Sequence, residues 1–393
     1  MKIGMILDQT FPPDPRVENE ARVLAQAGFE VFLFCVGSVN EVVQEPYEGF
    51  KLCRYPYSKL TYKLSALSYT IPWYRRIMVP KLKHFIKENK ITHLHVHDIR
   101  IAAAVDKANK KKLPVVLDLH DNYPEIMKLY PHLNKFPGKY IINPKKWKDA
   151  EAVYINKAEK VITVSPDFVK ELQGRFPELS SKFVLVPNTI SRSFYTEYKT
   201  DQSIVSKTKE KFNLLYLGDT GLRRGLLTAI RAVKIIKTKI PEIHLTIVGS
   251  NSTDDVLKAE VKKLGLEKYI SMEGWQDVSL FPSYILGSDV CISPLDRNIQ
   301  HDVAYANKLF QYMGFSKPLL VSDAIAQKNL VQEIGAGLVH RERNPEDFAA
   351  QLMKLYEDAA LRSEMGEKGF EFIDQTFNWE TSSTSLINLY KGL

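Results

Sequence analysis

Short apolar runs recur along the chain, and each closes on a polar or glycine-rich turn. Lys2–Leu7 ends at Asp8, Val31–Val36 follows, Ile91–Val96 ends at His97-Asp98, and Val115–Leu119 ends at His120-Asp121. Val161–Val164 and Val184–Val186 continue the series. Such runs read as strands buried on both faces. Between them the apolar period lengthens to that of a helix. Arg16–Gly28 carries Val17, Ala21, Leu24 and Ala25 on one face, and Trp147–Lys160 reads as a second helix. The second half repeats the scheme with strands Leu214–Leu217, His244–Val248, Ile270–Glu273, Asp289–Ser293 and Leu319–Val321. Strands alternating with helices predict doubly wound parallel sheets, whose ligands bind at the strands' carboxyl ends.

Two turns carry candidate phosphate chemistry. After Leu217 the chain reads GDTGLRRG, and a helix begins at Leu226. A glycine-rich turn at a helix N-terminus offers backbone N–H groups and a positive dipole end. Gly218 and Gly221 shape the turn, and Arg223 and Arg224 add charge and a bidentate fork. The next strand, His244–Val248, ends at Gly249-Ser250. The stretch YANKLFQYMGFSKPLLVSD from Tyr305 reads first as a helix, with Leu309, Phe310, Tyr312 and Met313 inward. Asn307, Lys308 and Gln311 stand three or four apart, so their polar ends can converge on a phosphate and a sugar hydroxyl, or form a solvated face.

Composition narrows the class. A chain of 393 residues is long enough for two or three domains. Cys35, Cys53 and Cys291 are three and far apart, which argues against a disulfide framework and fits a reducing cytoplasm. The N-terminus lacks a secretory apolar core, and the uncharged run Leu64–Tyr74 is too short to span a bilayer. Residues 1–190 hold 29 Lys+Arg against 20 Asp+Glu, and residues 51–112 alone hold 15 against 3. That asymmetry calls for an anionic partner. No nucleic-acid recognition motif is visible. Residues 59–88 interleave the cations with Leu64, Trp73, Tyr74, Ile77 and Leu82, which suits an anionic membrane surface or a helix pair with snorkelling lysines. His93, His95 and His97 alternate on one strand face, but the spacing offers no obvious carboxylate or cysteine, so no metal site is expected.

The order of these motifs resembles retaining glycosyltransferases of the group 1 (GT4) type. NKLFQYM with Lys317-Pro318 and Ser322-Asp323 is similar to their donor-site signature. GDTGLRRG resembles their G-R-L-x-x-x-K-G loop, FPPDPRVENEA their first loop and helix, and the segments ending in HVHD and DLHDNYP their paired histidine turns. The resemblance implies a GT-B fold: α/β, two Rossmann-like domains facing each other across a cleft. The expected domains are 1–190 on the acceptor side, 191–375 for the nucleotide sugar, and 376–393 as a helix crossing back. The resemblance also implies transfer of a hexose from a nucleotide diphosphate sugar to a hydroxyl, with no cofactor and no metal. His120 would meet the donor sugar, or simply sit satisfied at the sheet edge. Gly218, Gly221, Arg223, Arg224, Gly249, Trp275, Asn307, Lys308 and Gln311 would hold the donor. Arg16, His97, Asp98 and Asp121 would line the acceptor side, although Arg16 can equally pair with Glu20. Trp275 lies where the nucleobase is expected, or packs in the core. Three family positions depart: Gln311 replaces a glutamate, Val303 replaces an acid eight residues earlier, and Asp219 stands where many members have a basic residue. These departures leave a weakened binding or scaffold protein open, as the shared fold does a nucleotide-sugar epimerase. The acceptor is expected to be a saccharide or lipid-linked, and the enzyme cytoplasmic, either free or peripheral on the inner face of the plasma membrane.

Overall fold

A computed structural model describes residues 1–128, 133 and 142–393. Two compact units emerge, Met1–Pro187 with Ser383–Leu393, and Asn188–Ser382. The stretch after Asn188 therefore belongs to the second unit, where it forms short helices Ser193–Thr196 and Gln202–Ser206.

The first unit is built on strands β1 (Lys2–Ile6), β2 (Glu30–Gly37), β3 (Val43–Tyr47), β4 (Phe50–Pro56), β5 (His93–His97), β6 (Val115–Leu119), β7 (Lys160–Thr163) and β8 (Phe183–Leu185). Their order is β3-β4-β2-β1-β5-β6-β7-β8. Every pairing is parallel except β3 with β4, a hairpin closed by Glu48 and Gly49, both at positive φ. Helix Pro15–Gln26 is started by Asp14, whose carboxylate accepts the Val17 N–H, and by proline at the first position. It buries Val17, Ala21 and Leu24. The final helix, Thr384–Lys391, returns to this unit and sets the Tyr390 ring against Phe29.

The second unit holds β9 (Phe212–Leu217), β10 (Ile243–Val248), β11 (Ile270–Gly274), β12 (Val290–Ser293), β13 (Leu319–Ser322) and β14 (Gly337–His340) in the order β11-β10-β9-β12-β13-β14, all parallel. Helix Leu226–Ile236 seats Ala229, Ile230 and Val233 on one face of this sheet. Leu309, Phe310, Tyr312 and Met313 join the other core. Both units are Rossmann-like.

Candidate active site

In the first unit, strand register assembles a buried ionic cluster. β5 pairs with β6 so that His97 lies opposite Asp118. The period of two along each strand then puts His95 and His97 on one face with Asp118 and His120. Helix Pro15–Gln26 brings Arg16 and Glu20, one turn apart, into the same cluster. Arg16 donates to Asp118 through Nη2 at 2.9 Å and Nε at 3.2 Å, and to the Val186 carbonyl at 3.0 Å. It also pairs with Glu20 at 2.9 Å. Arg16 is 5 % exposed, and Nε, Nη1 and Nη2 are each engaged within the fold, which is the structural pairing with Glu20 extended to Asp118 and Val186.

His120 lies at the edge of this cluster. Its Nε2 is 2.8 Å from Asp118 Oδ2 and 3.1 Å from His97 Nδ1. Its backbone N–H donates to Asp98 Oδ1 at 3.2 Å. Burial opposes charge on the ring, yet Asp118 and then Asp98 outweigh it and push its pKa up to about 10. Burial would raise Asp118, but Arg16 and His120 hold it well below the usual carboxylate range. His97 is buried against His95 and falls to about 3, so it is neutral. Burial pushes Asp98 up to about 6 and Glu20 to about 8, against Arg16.

The expectation that the histidines lack carboxylate partners is overturned. Glu20, His95, His97 and Asp118 offer donor atoms within 4.8 Å of one another, all buried. The partners come from a neighbouring strand and a helix, which residue spacing does not disclose. Arg16 already places a positive charge on both carboxylates, so the cluster reads as an ion-paired network. His93, the third of the alternating histidines, is only half-buried and bonds Thr92.

Sequence reading missed a second ion pair. Arg100 donates to both oxygens of Asp8, at 2.6 and 2.7 Å, and Tyr74 bonds the same carboxylate. The positions of Asp8 and Arg100, just past the ends of β1 and β5, are the only signal the chain gives.

The second unit gathers the predicted phosphate residues. Gly218 follows β9 at φ 111° and Gly249 follows β10 at φ 140°. A Cβ on Gly249 would fall 1.9 Å from the Gly218 carbonyl oxygen, and one on Gly225 1.8 Å from that of Pro294. These turns therefore require glycine. Helix Leu226–Ile236 begins at Gly225 with no side-chain cap. Arg224 Nε donates to Asp219 Oδ2 at 3.1 Å, and Arg223 stands 3.9 Å from the same oxygen. Asp219 also accepts from Asn251 Nδ2 at 2.6 Å and the Gly221 N–H. The acid that departs from the family pattern thus holds the loop's arginine.

Lys308 is the most unusual group. It starts a six-residue helix, Lys308–Met313, shorter than expected, with Asn307 exposed at its cap and Gln311 half-buried. The three do not share a solvated face, because Lys308 turns inward. Its ammonium lies 3.4 Å from the centroid of the Tyr216 ring and has no hydrogen-bond partner among the described residues. A Cβ on Gly218 would come within 3.4 Å of it. Burial, then Arg224, lowers its pKa well below the usual lysine value. Trp275 is 72 % exposed after Gly274, which overturns core packing. Val303 is buried in helix Ile299–Val303.

Two family profiles match the chain, Glycosyltransferase Family 4 over residues 16–194 and Glycosyl transferases group 1 over residues 198–372. The chain belongs to the group 1 glycosyltransferases. It is 18 % identical over 261 residues to a D-inositol 3-phosphate glycosyltransferase of Paenarthrobacter aurescens, and that match covers 63 % of this chain and 61 % of the relative's length. It is 21 % identical to the phosphatidyl-myo-inositol mannosyltransferase of Mycolicibacterium smegmatis, covering 100 % of this chain and 94 % of that one. Among solved structures, sucrose-phosphate synthase from Thermosynechococcus elongatus superimposes with TM-score 0.77 at 17 % identity, over 100 % and 98 % of the two chains. Anabaena HepE in complex with UDP-glucose gives 0.70 at 15 %, over the whole of both. The fold of this group 1 member is GT-B.

Proposed function

We propose that the protein is a retaining glycosyltransferase that moves a hexose from a nucleotide diphosphate sugar to a hydroxyl acceptor. The orphaned ammonium of Lys308 carries this reading. Burial disfavours the charged form of Lys308, and an anion arriving beside it restores that charge and pairs it. Glycines 218 and 249 keep side chains away from that point, and Arg224 with the uncapped helix supplies further positive charge. Such donors stabilise the charge that grows on a departing diphosphate without a metal. Gln311 accepts a ribose hydroxyl through its amide oxygen. His120 works at the sugar, and no nucleophile is assigned. HepE, crystallised with UDP-glucose, supports the donor class.

The test is a thermal-shift panel of nucleoside diphosphates followed by donor turnover. A diphosphate that raises Tm, with donor-dependent release or transfer of sugar, supports the reading. Binding without turnover would favour the scaffold, and conversion of the donor to its epimer would favour an epimerase.

A second proposal concerns the acceptor. Leu60, Tyr62 and Trp73 are 66 %, 60 % and 55 % exposed on helices Lys59–Ser65 and Trp73–Glu88, beside the cations of the basic half. Among the described residues no helix is long and apolar enough to cross a membrane. We propose that this surface rests on anionic lipid, where an acceptor carried by lipid would be found. The mannosyltransferase named for phosphatidyl-myo-inositol supports that choice. Salt-sensitive co-sedimentation with anionic vesicles, lost when Arg75, Arg76, Lys81 and Lys83 become Gln, is expected. No binding at low salt would point to a soluble acceptor.

A further inference from the structure

His120 is gripped from two sides, and the grip determines which nitrogen can act. Asp118 is fully buried, and Arg16 occupies both of its oxygens through Nη2 and Nε. A carboxylate held in this way can only accept. The Nε2 of His120, 2.8 Å away, must therefore carry a proton and donate it. His97 stands against the same edge of the ring, with its Nδ1 3.1 Å from His120 Nε2 and 3.3 Å from Asp118 Oδ2. At the other end, Asp98 accepts the His120 backbone N–H. Among the described residues His120 Nδ1 makes no hydrogen bond, and the side chain is 18 % exposed.

We propose that Asp118 is the positioning residue for His120, fixing the ring by its Nε2 edge so that Nδ1 is presented to the donor as the hydrogen-bond donor of an imidazolium. The proposal rests on the assignment of His120 to the donor sugar. It adds that the ring acts as a fixed cation and not as a general base.

Charge around the ring agrees. Asp118 on β6 and Asp98 after β5 face it, Arg16 and Glu20 approach from the helix, and His95 and His97 lie on β5. The two aspartates balance Arg16 and a charged His120, while the buried His95 and His97 stay neutral. Burial alone would discharge the His120 ring, but Asp118 and Asp98 reverse that and raise it to about 10. An imidazolium aimed at a sugar hydroxyl or phosphoryl oxygen stabilises developing negative charge without transferring its proton.

The experiment compares the full-length protein with Asp118→Asn, which keeps the shape and removes the charge. NMR of the labelled imidazoles should show His120 flat from about pH 6 to about pH 8.5 in the wild type and titrating in the variant near the ordinary value of about 6.5. The kcat for donor turnover should fall about tenfold or more in the variant, with KM little changed, and should now decline as pH rises through neutrality. A wild-type His120 that titrates near 6.5 would overturn the proposal, as would a variant with an unmoved pH profile. Should Asp118→Asn fail to fold with Arg16 unpaired, Asp98→Asn leaves that pair intact and should move the His120 titration the same way. The titration is read without turnover. A held ring with activity indifferent to His120→Ala would therefore sink the sugar assignment while leaving the Asp118 grip standing.

Discussion

The two units bury charge in opposite ways. In the first, Arg16 meets Asp118 and Glu20, and Arg100 meets Asp8, so each cation has its counter-ion within the fold. In the second, Lys308 is 9 % exposed, and among the described residues its Nζ has no hydrogen-bond partner and lies over the face of Tyr216. A buried pair that is broken leaves one charge stranded, which costs far more than the pair contributes. A buried cation left single needs something from outside the chain. Burial alone therefore does not distinguish scaffold from binding site, and pairing does.

The largest test of this contrast is Arg16→Met. It strands Asp118 and should cost about 3–5 kcal/mol of stability in urea unfolding. A loss below about 1 kcal/mol would show that the cluster is wetter or looser than its geometry implies.

His120→Gln probes the edge of the same cluster. The folded-state pKa of His120 is raised to about 10. Its contribution is therefore fully present below the unfolded value of about 6.5 and is lost as pH rises through about 10. The stability gap between wild type and variant should be about 2–3 kcal/mol at pH 6 and close towards pH 10. A gap independent of pH would mean that the ring is neutral.

Lys308→Met should weaken nucleoside diphosphate binding by about 1.5–3 kcal/mol, measured calorimetrically. The ligand-free protein should become no less stable, because a buried amino group without a hydrogen-bond partner is removed. A destabilised variant with unchanged affinity would move Lys308 into the scaffold.

Asp219→Asn frees Arg224 from a half-exposed partner and should tighten diphosphate binding by up to about 1 kcal/mol. Weaker binding would mean that the carboxylate orients the arginine for the ligand. Gln311→Glu should change donor affinity least, by a few tenths of a kcal/mol towards tighter binding in a working ribose pocket. A severe loss would show that the pocket has been rebuilt.

Legibility followed the range of the interaction. The apolar runs placed β1, β2, β5, β6 and β9–β13 within a residue or two, because burial on both faces of a parallel sheet writes itself into consecutive positions. The hairpin Val43–Pro56 was not read. Its two-residue turn is Glu48-Gly49, not the Asn-Gly or Asp-Gly that announces such turns, and Pro46 interrupts the alternation. β14, Gly337–His340, is four residues long and lies beyond Leu319–Val321, the last strand the apolar runs announce. The phosphate loop and the NKLFQYM helix were legible because their chemistry is local. Arg16, assigned to ligand or to Glu20, was resolved only by Asp118.

By itself the chain determined two alternating α/β halves, the glycines at 218, 225 and 249, and the cations near them. These depend on neighbours a few positions away, through side-chain period, turn conformation and helix ends. Tertiary structure decided which charges are satisfied. Asp118 is 102 residues from Arg16 and 23 from His95, and they meet only because β6 pairs with β5 beneath one helix. Lys308 loses its solvent only because its short helix packs against Tyr216, 92 residues earlier. Electrostatic energy depends on distance and burial in space, and sequence spacing carries neither until strand register and packing are settled.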